Sequence, residues 1–425
     1  MNSDSDKQQT ALVIGAGAES GYAIQTARGL GLEIVALDGD ASAPGLTLSD
    51  QSFVIDIRDG DAVCRLLSSH GITPSLVLPV PVGRVLTTTG VVNDRYGLRG
   101  VSARAAELVT DKYEFAHRLQ AEGLRDADIA LIPAGSTSLP TGLSGRYPLI
   151  VKPRYGSGSR MVRRCESPAE VTDALWGSDQ SSPEAPLSED FIAESCMDGQ
   201  EYGLDGLYMG GSFRLVLLRS KHQTPPPYCQ CTGYDAVVPG ASPDDDTFMD
   251  AVIRLMSEAG RVLGLYDCPV HADIIRPAAH DQEGGASCQP FLIELSARPS
   301  GHRLHDLFTP MATGYDYIRE YIRYASSAAG AQLPPEAAAV RPLHIRYHDL
   351  PEGVLSHIPS QDEVLQIPGL IYYECHMEPG ERIAPVHEGH DLMGRGCYII
   401  ESADLDEVES TVRAVRKKFI VERKA

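Results

Sequence analysis

The sequence predicts a multidomain protein in which an α/β domain is followed by α+β segments. A chain of 425 residues is too long for one simple hydrophobic core, so two or three domains are expected. Residues 11–110 alternate short apolar strands with helices, which is typical of βαβ units and a parallel sheet. Beyond residue 124 strands and helices are mixed and a hairpin is recognisable, which favours an α+β arrangement.

The first part of the chain repeats the order strand, turn and helix. A further helix is expected over 110–123, with Thr110 or Asp111 as its cap and Gly123 at its end. The predicted strands are ALVIGAG with its turn (11–17), EIVALDGD (33–40), SFVIDI (52–57) and PSLVLPV (74–80), and the helices are ESGYAIQTARGLG (19–31) and GDAVCRLLSSHG (60–71).

The remaining elements are read from apolar runs and from the turn residues between them. Strands are predicted at 148–152, 191–195, 201–209, 213–220, 343–350, 370–377 and 396–402, and helices at 167–176, 244–264, 314–328 and 404–421. Residues 270–276 and 290–298 are expected to pair as a hairpin with a connection at 277–290. The polar tract 177–190 is expected to be a surface loop, and 326–339 a linker. The proline run in 219–240 predicts a long functional loop rather than a regular strand.

Charge and cysteine usage narrow the class of protein. The net charge of −21 argues against nucleic acid or an anionic membrane as a partner, although a local basic site for a nucleotide is compatible with it. The polar start MNSDSDKQQT is unlike a signal peptide, and no apolar run reaches the roughly 18 residues of a membrane helix. The nine cysteines form no CxxC pair, which favours reduced thiols and a cytoplasmic enzyme.

The stretch GAGAESG suggests a dinucleotide site, but the match is incomplete. Gly15 and Gly17 fit the start of G-x-G-x-x-G, whereas Ser20 occupies the third glycine position and Gly21 comes one residue late. Asp38 lies at the spacing of a ribose-binding acid. An NAD-dependent oxidoreductase is therefore kept as an alternative, although a sharp strand-to-helix turn needs glycine in any case. The chain contains no Walker A motif.

A lysine that ends an apolar strand, directly before a glycine–serine loop, is the first sign of phosphate binding. In PLIVKPRYGSGSR, Lys152 precedes Gly156, Ser157, Gly158 and Ser159, and a cation beside a loop rich in amide and hydroxyl donors suits a polyphosphate. Further along, FIAESCMDGQEYG places Glu194, a hinge and Glu201 in sequence. Such a hinge can offer backbone groups to an adenine, and the second carboxylate can bind both ribose hydroxyls.

Two carboxylates on the predicted hairpin point to a metal. Residues two apart in a strand share a face, so Glu294, Ser296 and Arg298 point one way while Ile293 and Leu295 point into the core. Pairing of the hairpin can bring Asp273 beside Glu294, and two such carboxylates repel unless a cation lies between them. Oxygen ligands without Cys or His favour Mg²⁺ over zinc. Arg298 is suited to a bidentate grip on a phosphoryl oxygen.

Together with Lys112 in TDKYEFA, these pieces in this order resemble the ATP-grasp superfamily, specifically its carboxylate–amine ligases such as the bacterial L-amino-acid (dipeptide) ligases. The resemblance spans nearly the whole chain and implies an ATP-grasp fold with an N-terminal Rossmann-like (pre-ATP-grasp) domain. It implies an N-terminal domain at 1–109, an ATP-grasp domain at 110–335 and a C-terminal α+β subdomain at 336–425. Within the ATP-grasp domain it implies a lid-like lobe at about 125–195 and a metal and substrate lobe at 196–335.

The resemblance also implies a role for each matching residue. ATP would be bound through the following residues: Lys112, Lys152, Gly156, Ser157, Gly158, Ser159, Glu194, Ser195, Cys196 and Glu201. Asp273 and Glu294, with Ser296 at a position where the family has Asn, would hold one or two magnesium ions. The family usually has Glu at position 273, so both changes shorten or weaken a metal ligand. Arg298, with Lys152, would stabilise the transferring phosphate.

The implied reaction phosphorylates a carboxylate to an acylphosphate and couples it to an amine, with release of ADP and phosphate. The implied partners are a small carboxylate and a small amine, both expected to be amino acids, and a homodimer is common for this architecture. Candidate substrate contacts are Lys221, His222, Tyr228, His302 and Arg303. The alternatives that stay open are carboxylation through carboxyphosphate, the NAD-dependent oxidoreductase, and a nucleotide-binding protein without turnover.

Overall fold

The computed structural model describes residues 9–137, 147–176, 187–278, 289–327, 339–386 and 389–422. The chain begins with strands β1 (Thr10–Ile14), β2 (Glu33–Asp38), β3 (Gln51–Val54) and β4 (Leu76–Val77), and with helices α1 (Gly21–Gly29), α2 (Pro44–Thr47), α3 (Gly60–Ser69), α4 (Leu86–Tyr96) and α5 (Ala103–Thr110). The four strands form a parallel sheet in the order β3-β2-β1-β4. This confirms the predicted parallel sheet.

Apolar side chains on both faces hold this first sheet in place. Leu12 and Ile14 pack on one face with Val63 of α3. Ala11 and Val13 lie on the other face, in a cluster that includes residues from a much later helix. Because burial of apolar area is the main favourable term in folding, the second cluster anchors the N-terminal sheet to the rest of the molecule.

A small antiparallel sheet follows helix α6 (Lys112–Ala121). The Asp111 carboxylate caps this helix by accepting hydrogen bonds from the backbone N–H groups of Tyr113 and Glu114, which confirms the predicted cap. The strands are β5 (Ile129–Ile132), β6 (Leu149–Pro153), β7 (Arg163–Cys165) and β8 (Phe191–Ser195), with helix α7 (Pro168–Trp176) before β8. Their order is β5-β8-β6-β7.

An eight-stranded antiparallel sheet forms the largest part of the molecule. Its strands are β9 (Gly199–Met209), β10 (Ser212–Gln223), β11 (Cys231–Ala236), β12 (Cys268–Pro277), β13 (Phe291–Ser296), β14 (Leu343–Tyr347), β16 (Leu370–Tyr373) and β18 (Cys397–Glu401). The order is β13-β12-β9-β10-β11-β14-β18-β16. The sheet therefore continues across the linker predicted near residue 335. Helix α8 (Pro243–Leu263) packs against one face, while the opposite face carries helices α9 (Thr309–Thr313) and α10 (Tyr317–Ser326).

The C-terminal part adds a three-stranded sheet in the order β17-β15-β19. It consists of β15 (Gly353–His357), β17 (Arg382–Ile383) and β19 (Ile420–Glu422), accompanied by α11 (Gln361–Val364), α12 (His390–Met393) and α13 (Leu405–Arg416). None of the described helices combines the length and the apolar character needed to cross a membrane.

Two sequence expectations about this part of the fold were wrong. Residues 219–240 are not one long loop, because β10 continues to Gln223 and β11 begins at Cys231. The prolines at 225–227 lie in the turn between them, where a missing N–H disturbs no ladder. The last helix ends at Arg416 rather than at 421, and Ile420–Glu422 pairs with β15 instead. The predicted loop 177–190, connection 277–290 and linker 326–339 lie largely outside the described residues.

Candidate active site

A cavity of about 220 Å³ lies between the small sheet and the large sheet. Strands β6 and β8 form one wall, and β9, β10, β12 and β13 form the other. The following predicted site residues line it: Lys112, Lys152, Gly156, Ser157, Gly158, Ser159, Glu194, Ser195, Cys196, Glu201, Lys221, Asp273 and Glu294. The fold thus brings together residues that are up to 182 positions apart in the sequence (112 to 294).

Glu194 is the centre of a buried ion network on the small sheet. Lys152 donates to Oε1 of Glu194, and Nη2 of Arg125 donates to Oε2. All three side chains are almost fully buried. Burial alone would raise the pKa of Glu194, but the charges of Lys152 and Arg125 outweigh it and hold the pKa below its ordinary value. The Glu194 carboxylate therefore orients Lys152, and both of its oxygens are already engaged.

Lys112 connects the start of α6 to the glycine–serine loop. Its Nζ donates to the backbone carbonyl of Gly156 at 2.8 Å. Desolvation lowers the pKa of Lys112 and Lys152 adds to this, while the negative charge of Glu294 opposes it. Two further carbonyls of the loop accept hydrogen bonds: Gly158 from the backbone N–H of Gly389, and Ser159 from the side chain of Gln230. A few single hydrogen bonds thus hold the loop over the cavity.

Positive backbone φ angles explain the glycine content of this loop. Gly156 has φ of 138° and Gly158 has φ of 68°, which side chains with a Cβ rarely adopt. Ser159 and Met161 also lie in the left-handed region, at 53° and 57°. Non-glycine residues in that region are strained and occur often at functional sites.

Lys221 lies between two carboxylates on neighbouring strands. From β10, its Nζ donates to Glu201 on β9 and to Oδ2 of Asp273 on β12, the latter at 3.0 Å. Gln223 donates to the second oxygen of Glu201 at 2.7 Å. Burial would raise the pKa of Asp273, but Lys221 reverses the shift and lowers it. Lys221 was expected in a substrate loop, whereas the structure places it on a strand that lines this cavity.

Asp273 and Glu294 face each other across the β12–β13 ladder, as the hairpin prediction required. A β-bulge follows directly, because Asp273 pairs with Glu294 whereas Ile274 pairs with Leu292. Ile293 is the extra residue, and it lines the cavity. The expectation that Ile293 points into the core was therefore wrong, because the bulge interrupts the alternation of faces. Leu295, after the bulge, is buried in the core as expected.

The two carboxylates fit a magnesium ion that is also bound by phosphate. Oδ1 of Asp273 is buried and has no hydrogen-bond partner among the described residues. The described residues hold no cluster of three or more His, Cys, Asp or Glu side chains of the kind that binds a metal alone. Mg²⁺ commonly takes only one or two carboxylates and completes its shell with substrate phosphates and water. The donor set therefore matches a metal–nucleotide complex rather than a closed protein cage.

A second, smaller cleft of about 40 Å³ continues from the first. Lys112, Gly156, Ser157 and Glu294 line both, and the cleft also contains Ser296 and Arg298. Nη1 of Arg298 donates to the carbonyl of Pro299 at 2.7 Å. Burial lowers the pKa of Arg298 while the negative charge of Glu294 raises it. Arg298 thus shares the smaller cleft with Glu294 and Lys112.

The other predicted substrate residues lie outside both cavities. His222 is bonded to Asp235 at 2.6 Å, and this carboxylate also accepts from His344. Tyr228 lies under the guanidinium of Arg163. These contacts tie the β10–β11 hairpin to β7 and β14.

His302 and Arg303 form a strained pair after strand β13. Their φ angles are 62° and 64°, in a region that non-glycine residues seldom adopt. The N–H of His302 donates to Glu19 at 2.6 Å, so this segment contacts the glycine turn of the N-terminal sheet. Arg303 is bound to Asp306 and Glu374.

Sequence reasoning missed several buried polar residues next to the site. Arg125 follows a helix end without any recognisable motif, yet it binds Glu194. Asp205 and Arg219 are fully buried and paired behind the cavity, and Thr309 donates to the same carboxylate. The signal that could have found this pair is a charged residue inside the apolar stretch of each strand, Asp205 within GLDGLYM and Arg219 within LVLLRS, because such buried charges need a partner.

Asp38, which lies at the spacing of a ribose-binding acid, forms hydrogen bonds within the glycine turn. Oδ2 of Asp38 accepts from the N–H of Ala16 at 2.6 Å, and Oδ1 accepts from the N–H of Asp40 at 2.8 Å. Gly15 has φ of 95°. Asp38 therefore stabilises the glycine turn, and each of its carboxylate oxygens already accepts a backbone hydrogen bond.

Comparison with known proteins agrees with this geometry. Residues 145–295 match the ATP-grasp domain family. The formate-dependent phosphoribosylglycinamide formyltransferase of Herminiimonas arsenicoxydans is 26% identical over 186 residues, which cover 39% of this chain and 40% of that protein. The chain thus matches about two fifths of the length of this relative.

Two solved structures resemble almost the whole chain. The L-amino acid ligase from Bacillus licheniformis has a TM-score of 0.75 at 18% identity and covers 99% of this chain and 100% of its own. The biotin carboxylase domain of the Hydrogenobacter thermophilus 2-oxoglutarate carboxylase, in complex with MgADP, ADP and bicarbonate, has a TM-score of 0.64 at 16% identity and covers 98% and 91%. The chain contains an ATP-grasp domain and has the ATP-grasp fold, whose enzymes use ATP and Mg²⁺.

Proposed function

We propose that this protein is an ATP- and magnesium-dependent ligase that activates a carboxylate as an acylphosphate and joins it to an amine, with both substrates drawn from amino acids. The observation that carries the proposal is the arrangement of charges in two adjoining cavities. Two lysines and a donor-rich loop line one side, two carboxylates lie opposite, and Arg298 lies in the connecting cleft. This arrangement suits a polyphosphate, a divalent metal and a developing phosphoryl charge.

In this proposal the hinge after β8 binds the adenine. The backbone N–H groups of Ser195 and Cys196 already donate to the carbonyls of Asp128 and Pro148, at 2.9 and 3.1 Å. These two residues can therefore offer the adenine carbonyl oxygens or side chains. A backbone N–H donor has to come from Met197 or Asp198, which also line the cavity.

The proposed ribose and phosphate contacts follow from the same cavity. Glu201 would accept from the ribose hydroxyls, and its present partner Lys221 would stay beside Asp273. Lys112 and Lys152 would neutralise phosphate oxygens under the loop of residues 156–159. Asp273 and Glu294 would hold magnesium, with Ser296 near it, and the metal would offset the negative charge of the nucleotide phosphates.

The chemistry needs no nucleophilic side chain. A carboxylate oxygen of the substrate attacks the γ-phosphorus of ATP, and the bond between that phosphorus and the β–γ bridging oxygen breaks to release ADP. The amine nitrogen then attacks the acyl carbon, phosphate leaves with its oxygen, and the nitrogen loses a proton. Arg298 and Lys152 stabilise the negative charge that develops on the transferring group.

A second candidate uses the same chemistry with a different carboxylate and a different amine. The sequence relatives include formate-dependent phosphoribosylglycinamide formyltransferases at 26% to 33% identity, and formate is the smallest carboxylate. A reaction of formate with a ribonucleotide amine would use the same site. Activation of bicarbonate is a third use of the site, since one similar structure was determined with bicarbonate.

ADP and phosphate release from the purified chain tests the proposal. Mg-ATP would be supplied with pooled amino acids, with formate plus phosphoribosylglycinamide, or with bicarbonate plus an amine, and the products identified by mass. Amino-acid-dependent ADP release with a product mass of two substrates minus water is expected. Turnover only with formate or bicarbonate would replace the amino-acid assignment. Formation of AMP and pyrophosphate would exclude the acylphosphate route.

A further inference from the structure

A large open cavity lies on the other side of Tyr155 from the nucleotide cavity. It has a volume of about 860 Å³. Its walls come from the loops after β3 and β4, from α5 and α6, and from the end of α8. Five arginines line it, namely Arg58, Arg84, Arg104, Arg118 and Arg261. In a protein with a net charge of −21, such a concentration of one positive residue type gives the cavity a sign opposite to that of the whole.

Three of these arginines are neutralised by neighbours. Arg58 is bound to Asp56, Arg118 lies 3.4 Å from Glu122, and Arg261 lies 3.1 Å from Glu258. Arg84 and Arg104 differ, because within the described part of the chain neither has a carboxylate within 4.0 Å.

The acidic residues of the cavity do not compensate these two charges fully. Asp111 is occupied by Arg154, which donates to both of its oxygens, and by the hydroxyl of Tyr155 at 2.9 Å. Glu114 lies 3.9 Å from Arg154 as well. Glu107 remains as the acid of the lining without an ion pair in the described residues. Two guanidinium groups thus face the cavity against one such carboxylate.

The cavity is joined to the candidate active site by two side chains. The guanidinium of Arg84 lies 3.9 Å from the centre of the Tyr155 ring, and Tyr155 lines both the arginine cavity and the nucleotide cavity. Arg84 also borders the small cleft that contains Arg298. Tyr155 directly precedes Gly156, so its backbone is continuous with the loop over the nucleotide cavity.

We propose that this cavity is a second binding site, for a small polyanion with at least two carboxylate or phosphate groups, held by Arg84 and Arg104. Guanidinium groups bind such anions through paired, charge-assisted hydrogen bonds. Because Arg84 stacks on Tyr155, occupation of this site changes the affinity of the nucleotide cavity. Linkage makes the effect reciprocal, so a nucleotide changes the affinity for the anion by the same factor. The proposal does not depend on which reaction the active site performs.

Calorimetric titration with two probes tests for the site. Tricarballylate supplies three carboxylates and inorganic pyrophosphate supplies two phosphate groups, each at low ionic strength, where surface charges are least screened. The protein is saturated with the magnesium complex of a non-hydrolysable ATP analogue, which fills the nucleotide cavity including its γ-phosphate position and so keeps the phosphate probe from binding there. Saturable binding of at least one probe is expected. The probe that binds more tightly shows whether the site prefers carboxylate or phosphate groups. No saturable heat with either probe overturns the proposal.

Matched arginine variants decide where the anion binds. R104Q and R84Q are each expected to weaken binding about tenfold, whereas R382Q, an exposed arginine on β17, is expected to change it less than twofold. Arg104 and Arg84 are exposed, so both variants should fold. Equal binding by R104Q and R382Q would mean that the anion responds to general surface charge, which overturns the assignment.

The coupling between the arginine cavity and the nucleotide cavity is measured in a separate experiment. The affinity for a fluorescent ADP analogue is measured with and without saturating anion in the wild-type chain and in Y155L. A change of about threefold or more is expected in the wild type. Loss of that change in Y155L, with anion binding retained, would establish Tyr155 as the link. An unchanged nucleotide affinity in the wild type would refute the coupling.

Discussion

Lys221 donates a hydrogen bond to Asp273 at 3.0 Å, so a cation already occupies one oxygen of the carboxylate that we propose as a metal ligand. The second oxygen of Asp273 is buried without a hydrogen-bond partner among the described residues. A lysine and a metal ion can therefore share this carboxylate, one at each oxygen. The net charge at the proposed metal site therefore depends on Lys221.

Substitution K221M is expected to lower the free energy of unfolding by about 3 kcal/mol, because it leaves Glu201 and Asp273 buried without their cation. Magnesium should restore part of this loss, since the metal offers a replacement charge. Urea unfolding with and without Mg²⁺ measures both effects. K417M, at an exposed position, is the control and should change neither. If Mg²⁺ stabilises neither K221M nor the wild type, Asp273 is not a metal ligand.

Substitution E194Q is expected to lower the free energy of unfolding by about 3–5 kcal/mol, because Lys152 and Arg125 then lose their shared anion. The pKa of Glu194 is lowered in the folded state, so its contribution is present above the unfolded pKa of about 4.3 and is lost as the pH falls further. Urea unfolding at pH 7, 4 and 3 should show that the difference between wild type and E194Q shrinks as the pH falls below 4. A difference that grows on acidification would contradict the assignment. E189Q, at an exposed pair with Arg160, serves as control.

The bulge predicts different effects for alanine substitutions at Ile293 and Leu295. L295A removes a core side chain that is 1% exposed and should lower the free energy of unfolding by about 2–5 kcal/mol, with little effect on nucleotide affinity. I293A should lower it by less, because Ile293 lines the cavity, and should weaken the binding of a fluorescent ATP analogue. Equal losses of stability in both variants would mean that Ile293 belongs to the core.

Substitution of Glu294, a proposed metal ligand, distinguishes the proposed ligase from a dinucleotide-binding protein. E294Q is expected to reduce ADP release at least about 100-fold, because the metal that offsets the phosphate charge is held less well. The same variant should lose the increase in nucleotide affinity that Mg²⁺ gives to the wild type. Binding of the fluorescent ATP analogue with and without Mg²⁺ provides this second readout. Unchanged turnover in E294Q would exclude Glu294 as a metal ligand.

Local patterns in the sequence were sufficient for many of the strands and helices, although β5, β7, α4 and α5 were not predicted. The alternation of short apolar strands with helices predicted the parallel sheet, and the run that ends in Lys152 predicted strand β6. Pairing of the predicted hairpin placed Asp273 beside Glu294, which the ladder confirms. Each of these inferences uses a pattern within one strand or helix, or two strands that follow each other in the chain.

Long-range partners could not be predicted in the same way. Arg125 meets Glu194 across 69 positions, and nothing in its own surroundings marks it. The prolines at 225–227 suggested a loop, although they occupy only the turn, so Lys221 was not recognised as a strand residue. The bulge at Ile293 has no glycine or other residue that would reveal it, and only the pairing with β12 shows it.

The continuity of the large sheet has a consequence for how the chain can be divided. Strand β11 is bonded to β10 on one side and to β14 on the other, so the segment before residue 335 and the segment after it share one ladder. A fragment that stops at 335 would expose the open edge of β11, and such an edge readily pairs with other chains. We therefore expect the two segments to lose amide-exchange protection together, as one cooperative unit, and the shortened fragment to self-associate.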